Sequence, residues 1–171
     1  IEMQNYIFDQ VMEAGEEFDI KPFGIRAMDS MRLEKSYRLI PREMSIEYSA
    51  YESGLDRFVR LDKENDFIGK EALKDWQDRG AANGFVTLEV LGVEDADARG
   101  SEAIYKDGEV VGRATSGGFG WRCGKSLALG LVRKDLTAIG TELEIEILGE
   151  KYKSVVIEES PFDPTNECLR S

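Results

Sequence analysis

Apolar residues recur at helical spacing over residues 4–18, at Ile7, Val11, Ala14 and Phe18, with Phe8 and Met12 beside them. Gly15 and the acidic Glu16-Glu17 predict fraying there. Lys21-Pro22 interrupts the pattern, because the residue before a proline avoids the helical region. Pro22 then suits the first turn of a second helix over roughly 22–36. Its apolar set is Phe23, Ala27, Met28 and Met31, with Asp29, Arg32 and Lys35 interleaved. Residues 38–56, with Pro41 and Gly54, read as irregular, and Phe58-Val59-Arg60-Leu61 as a short strand. Asp66 is expected to cap a helix over about 69–79, anchored by Leu73 and Trp76 and leaving through Asp78-Arg79-Gly80.

After Gly84 the period changes from helical to alternating. Phe85, Thr87 and Glu89 alternate with Val86, Leu88 and Val90. Ala103-Ile104-Tyr105 and Glu109-Val110-Val111 flank Lys106-Asp107-Gly108, where Asp-Gly signals a tight hairpin. Further strands are expected at 126–133, 141–148 and 151–159, with a tight turn at Gly149-Glu150. Five or six short antiparallel strands at this spacing imply a small barrel or sandwich. A boundary is therefore expected near residue 82, with a mixed α+β region over 1–82 and an all-β region over 83–171.

Charge narrows the function classes. Lys+Arg 22 against Asp+Glu 34 gives −12, which argues against a nucleic acid backbone or an anionic membrane surface as partner. A local basic pocket for a small anion stays open, since net charge does not describe individual sites. No apolar run approaches a membrane span. Histidine is absent, which removes the usual general base and the commonest metal ligand. Cys123 and Cys168 are too few and too far apart for a disulfide framework or a metal site, so two reduced thiols and no metal are expected. The chain opens Ile1-Glu2-Met3-Gln4, without an initiator methionine, and enters a helical pattern at once. The expectation is a cut inside a larger polypeptide.

Three stretches carry candidate chemistry. Gly117 to Ser126 ends in Gly-Lys-Ser, like a phosphate-binding loop, but Phe119 stands where that motif needs a glycine. The next residues, Leu127 to Val132, read as a strand and not a helix, so a glycine-rich connection between barrel strands is expected. Such a connection could still present Trp121 and Arg122 to a neighbouring site. In the segment Arg26 to Arg38, the charges suit simple surface pairing. Alternatively the helix end delivers Tyr37, Arg26 or Arg38 into a cleft, Tyr stacking on a planar ring and Arg clamping carboxylates. Glu52, two residues before Gly54, is either an acceptor for ligand N–H groups or a brace for its loop.

Several blocks in order resemble the aminomethyltransferase (glycine-cleavage T-protein) family. They are Gly24 to Arg38, Tyr51 to Leu55, Phe58 to Lys63, Asp66 to Leu73, Thr115 to Gly120 and Lys125 to Val132. The Leu33-Glu34-Lys35-Ser36-Tyr37 run is more similar to the dimethylglycine/sarcosine dehydrogenase branch. The resemblance implies the C-terminal part of a folate-binding α+β domain followed by a small antiparallel β-barrel domain. It implies transfer of a one-carbon unit from a glycine-derived or N-methylglycine-type amine to tetrahydrofolate. Flavin is a possibility for the parent polypeptide, outside this chain.

Tyr37 matches a position that packs on folate, whereas Met28 stands where the glycine-cleavage branch usually has an arginine holding the pterin. The catalytic Asp and Glu of the family are expected upstream of Ile1, so no residue here is assigned a catalytic role. Arg26, Glu52 and Arg122 join Tyr37 as candidate cofactor-binding residues, and Arg38 and Arg113 as further cations for the anionic tail. The partners implied are folate, the amine substrate and the rest of the same polypeptide, in a bacterial cytoplasm or a mitochondrial matrix. A non-catalytic folate-sensing or assembly module with the same fold is the alternative.

Overall fold

The structure is a computed structural model and describes residues 1–170. Helices α1 (Gln4–Gly15), α2 (Ile25–Glu34) and α3 (Lys70–Arg79) precede six strands. These are β1 (Asn83–Val90), β2 (Ala103–Lys106), β3 (Glu109–Gly120), β4 (Lys125–Arg133), β5 (Glu142–Ile147) and β6 (Glu150–Ile157). The strands close into an antiparallel barrel in the order β1-β4-β3-β2-β5-β6. Closure leaves no free sheet edge and separates a barrel from the sandwich that the strand spacing also allowed.

The alternation in the sequence sets which side chains turn inward. Val86, Leu88, Val90, Ile104, Ala114, Ala128, Val132, Leu143, Ile145, Ile147 and Val156 form one buried core. Each large member stabilises the fold by roughly 1.5–3 kcal/mol. Two hairpins turn on adjacent residues in the left-handed region, Asp107-Gly108 and Leu148-Gly149, as the twist of paired strands requires. The second turn sits one residue earlier than Gly149-Glu150.

Strand β4 is buried on both faces from Ser126 to Val132. Its outer side chains Leu127 and Leu129 meet Leu33 of α2, with Phe85 and Ile157 packed alongside. Thus α2 docks on the outside of the barrel through one leucine, reinforced by Ser30 Oγ donating to the Phe119 carbonyl at 2.7 Å.

Several expectations are corrected here. Helix α2 starts at Ile25 with Gly24 as its N-cap, so Pro22 lies outside it. Its expected apolar set, Phe23, Ala27, Met28 and Met31, is exposed, while Arg32, Leu33 and Glu34 are buried. The buried residues lie where α2 meets the barrel, which the period within the helix alone does not reveal. Phe58-Val59-Arg60-Leu61 is not a strand, because a 3-10 turn, Asp56–Phe58, leads into irregular chain. Asp66 does not cap α3: its carboxylate accepts the adjacent Phe67 N–H, and Gly69 is the N-cap with φ of 91°. Gly117–Gly120 belong to β3, so the connection into β4 is only residues 121–124.

Helix α1 stands apart from this packing. Ile7, Phe8 and Val11 are exposed, and Gly15 alone is buried, against Ile20. Deleting residues 1–21 is therefore expected to leave the barrel's calorimetric unfolding temperature within about 2 °C, a change below roughly 1 kcal/mol. A larger drop would show that α1 contributes to the barrel's stability.

Candidate functional site

Between α2 and the barrel lies a cleft of about 570 Å³. Arg26, Asp29 and Ser30 reach it from α2. Arg42 comes from the irregular chain after α2, and Arg99 from the connection between β1 and β2. Phe119, next to last in β3, and Trp121, in the turn that follows, also line it. The two rings meet edge to face, with centroids 5.0 Å apart, and Trp121 is 80% exposed. Among the described residues Arg26 and Arg99 have no ion-pair partner. The cleft therefore offers two open guanidinium groups beside an aromatic pair, a setting for an anion that carries a flat ring.

A buried polar network supports the cleft. Glu43 is fully buried. Its Oε1 accepts hydrogen bonds from Thr115 Oγ1 at 2.7 Å and Ser116 Oγ at 2.5 Å, and its Oε2 accepts the Leu39 N–H at 2.8 Å. Arg32, 8% exposed, lies 3.6 Å from Glu43 Oε2. It also donates to Asp29 Oδ1 at 2.6 Å, Ser116 Oγ at 2.9 Å and the Tyr37 carbonyl at 3.2 Å. Buried charges persist where they are paired and their hydrogen bonds are filled, which this arrangement achieves.

The turn carrying Trp121 is held from beneath by a second acid. Glu34, 2% exposed, accepts the backbone N–H of Arg122 at 2.5 Å and of Cys123 at 3.1 Å. Burial pushes the Cys123 thiol above its ordinary pKa, and the Glu34 charge acts in the same direction. A raised pKa leaves less thiolate at any given pH. Alkylation of Cys123 by iodoacetamide at pH 8 is expected to run slower than that of a free thiol. Glu34→Gln should speed it, and a wild-type rate equal to glutathione's would refute the assignment.

Of the residues nominated from sequence, the cleft contains Arg26 and not the other three. Tyr37 lies just past α2, half exposed, with its ring unstacked among the described residues and its main chain bound to Arg32. Arg122 points its guanidinium over the Phe162 ring at 4.8 Å. Glu52 is buried: it accepts from Ser49 N–H at 3.1 Å, Ser49 Oγ at 3.2 Å and Asn83 Nδ2 at 3.1 Å. These bonds tie the 49–52 turn to the start of β1.

Arg38 and Arg113 are also committed elsewhere. Arg38 pairs with Glu159 and stacks on Phe85 at 3.8 Å, and Arg113 pairs with Glu47 and Tyr48. The structure adds Arg42, Arg99 and Phe119, which sequence reasoning does not reach. The first two sit in irregular chain with no period to read, and Phe119 reads in the sequence as part of a connection.

The fold is thus a closed barrel with a helix docked on its wall and an arginine-lined cleft between them. The pattern described as the GCVT N-terminal domain matches residues 1–63, and that of the glycine cleavage T-protein C-terminal barrel domain matches residues 84–163. The chain belongs to the glycine cleavage T-protein family. It is 41% identical over 166 residues to human mitochondrial dimethylglycine dehydrogenase, covering 96% of this chain and 19% of that protein. It is 36% identical over 156 residues to an aminomethyltransferase of Bacillus cytotoxicus, covering 91% of this chain and 42% of that protein. The chain thus spans about a fifth of the first relative's length and about two fifths of the second's. In fold it matches the glycine cleavage system aminomethyltransferase T of Bartonella henselae, with a TM-score of 0.76 at 24% identity, over 82% of this chain and 39% of that one.

Proposed function

We propose that the cleft between α2 and the barrel is part of the tetrahydrofolate site of an aminomethyltransferase module. The module moves a one-carbon unit from a glycine-derived or N-methylglycine-type amine to tetrahydrofolate. The observation that carries this reading is the convergence of Arg26, Arg42 and Arg99 on one cleft beside Phe119 and Trp121, in a chain of net charge −12. Folate joins a flat heterocycle, through an aromatic ring, to a dicarboxylate. Arginine pairs with carboxylates in a planar fork, and the aromatic pair suits the flat ring.

Family membership supports the one-carbon chemistry. The 19% and 42% spans support a site completed by the rest of the same polypeptide, where a flavin-dependent amine dehydrogenase portion would supply the one-carbon donor. In this reading no residue of the chain is catalytic. Tyr37, which does not line the cleft, contributes a third ring to the ligand, while Arg122 and Glu52 act only by shaping the turns around it. The folate-site part ends near residue 82 and the barrel part occupies 83–171. The compartment is the bacterial cytoplasm or the mitochondrial matrix.

The test uses tryptophan emission. Trp76→Phe leaves Trp121 as the sole indole. Titration with 5-formyltetrahydrofolate is expected to quench it saturably, and Arg26→Ala with Arg99→Ala to raise Kd roughly tenfold, about 1.4 kcal/mol. Emission that stays unchanged up to millimolar ligand, in this chain and in the same chain joined to the rest of its polypeptide, would argue against a folate site here.

A further inference from the structure

We infer that residues 159–166, which follow β6, form a clasp on the exit of α2, and that opening it frees the turn carrying Trp121 while the barrel stays folded. The segment does not owe its shape to local preference. Ser160, Asp163 and Asn166 all hold the left-handed region, with φ of 59°, 47° and 59°. Residues with side chains adopt it uncommonly, and it persists where surrounding contacts impose it. Those contacts come from the end of α2 and the residues just after it. The Ser160 N–H donates to Ser36 Oγ at 3.1 Å, and its hydroxyl to the Lys35 carbonyl at 2.8 Å. The Phe162 N–H donates to the Glu34 carbonyl at 3.0 Å. Lys35 Nζ donates to the Asp163 carbonyl at 2.5 Å and to Asn166 Oδ1 at 2.8 Å, and Glu159 pairs with Arg38. Ser36 is fully buried, and its Oγ also bonds Thr87 Oγ1 of β1 at 2.8 Å. One hydroxyl thus joins the clasp, the α2 exit and the barrel.

Glu34 carries the link onward to the turn. Its carbonyl holds the clasp, and its carboxylate accepts the N–H groups of Arg122 and Cys123. From the other side the Arg122 guanidinium lies over the Phe162 ring at 4.8 Å. Clasp and turn are therefore bound both to one residue and to each other, and groups in one such network are energetically coupled. The ladders joining β1 to β4 and β6 use none of the clasp or turn residues. A segment held outside the ladders by a few polar bonds opens at a lower free energy than the barrel does. Trp121 lines the cleft, so an open clasp loosens one wall of it, whatever the cleft binds.

Residue-resolved amide hydrogen exchange, followed by NMR on the whole chain, tests the coupling. Lys35→Met keeps an unbranched stem and removes the two Nζ bonds to the clasp. The N–H groups of Ser160, Phe162, Arg122 and Cys123 are expected to exchange at least tenfold faster than in wild type. The ladder amides of β1 and β4 should stay within twofold. Ser160→Ala removes one hydroxyl bond and no charge, and should move the same four amides in the same direction by a smaller factor. It supplies the reading should Lys35→Met not fold. Clasp amides that speed up while Arg122 and Cys123 keep their rates would overturn the link to the turn. Ladder amides that speed up equally, or no change at the four amides, would overturn the clasp itself.

Discussion

Replacing Glu43 with alanine is expected to lower the unfolding free energy by about 3–5 kcal/mol, the loss seen when one partner of a buried ion pair is removed. Glu43 is fully buried and Arg32 is 8% exposed, so little solvent reaches the pair to screen it. After the substitution Arg32 keeps Asp29 but loses its second anion. Ser116 Oγ and the Leu39 N–H lose their acceptor, while Thr115 Oγ1 retains the Leu129 carbonyl at 3.1 Å. A domain of this size has only about 5–15 kcal/mol in total, so the loss is a large share of it. Glu43→Gln keeps the volume and one acceptor oxygen and should cost less, about 1–3 kcal/mol. Urea unfolding monitored by circular dichroism measures both. An alanine variant within 1 kcal/mol of wild type would mean that the network does not support the fold.

The second large effect is expected at Gly112, for a steric reason. In the β3–β4 ladder Gly112 stands opposite Val132. A Cβ there would meet the Leu131 carbonyl oxygen at 2.2 Å and the Val132 Cα at 2.7 Å, both backbone atoms of the neighbouring strand. Backbone within a closed barrel has little room to retreat, so Gly112→Ala should destabilise by about 3 kcal/mol. Gly24, the N-cap of α2, is the internal control. Nothing lies within 4 Å of its would-be Cβ, and Gly24→Ala should stay within about 0.5 kcal/mol. Equal stability of the two variants in the same urea series would contradict the close approach of β3 to β4.

The strands of the second half were legible because their rule is local. Val86, Leu88 and Val90 alternate with Phe85, Thr87 and Glu89, and a period of two has one structural meaning. Asp107-Gly108 marked its hairpin for an equally local reason, since few residues accept the left-handed region. The glycine-rich stretch misled because glycines usually punctuate. Here Gly117 lies in a strand whose inner face meets Ala98, with the Ala98 carbonyl 2.4 Å from a would-be Cβ. Glycine at that position serves close packing and not a turn. The apolar set expected for α2 failed for a related reason. Met28 and Met31 obey helical spacing, yet the barrel wall meets the other side, where Leu33 sits between Arg32 and Glu34.

The candidate site divides along the same line. Arg26 is legible because it lies on a helix whose position could be read. Arg42 and Arg99 are 57 residues apart in sequence and belong to irregular segments, so only the docking of α2 on the barrel brings them together. Glu52 read equally as an acceptor for ligand N–H groups or as a brace, and Arg38 as a cation for an anionic tail; in the fold Glu52 accepts from Asn83 and Arg38 pairs with Glu159.

What the sequence determined by itself was the α+β organisation, the strands and hairpins of the second half and the family. Each is carried by short-range periodicity, turn chemistry or ordered blocks of residues. What only the tertiary structure decided was barrel closure, the face of α2 that is buried and which arginines share a cleft. Those depend on contacts between residues far apart in the chain, and burial there turns Arg32, Glu34 and Glu43 from apparent surface charges into the internal frame of the site.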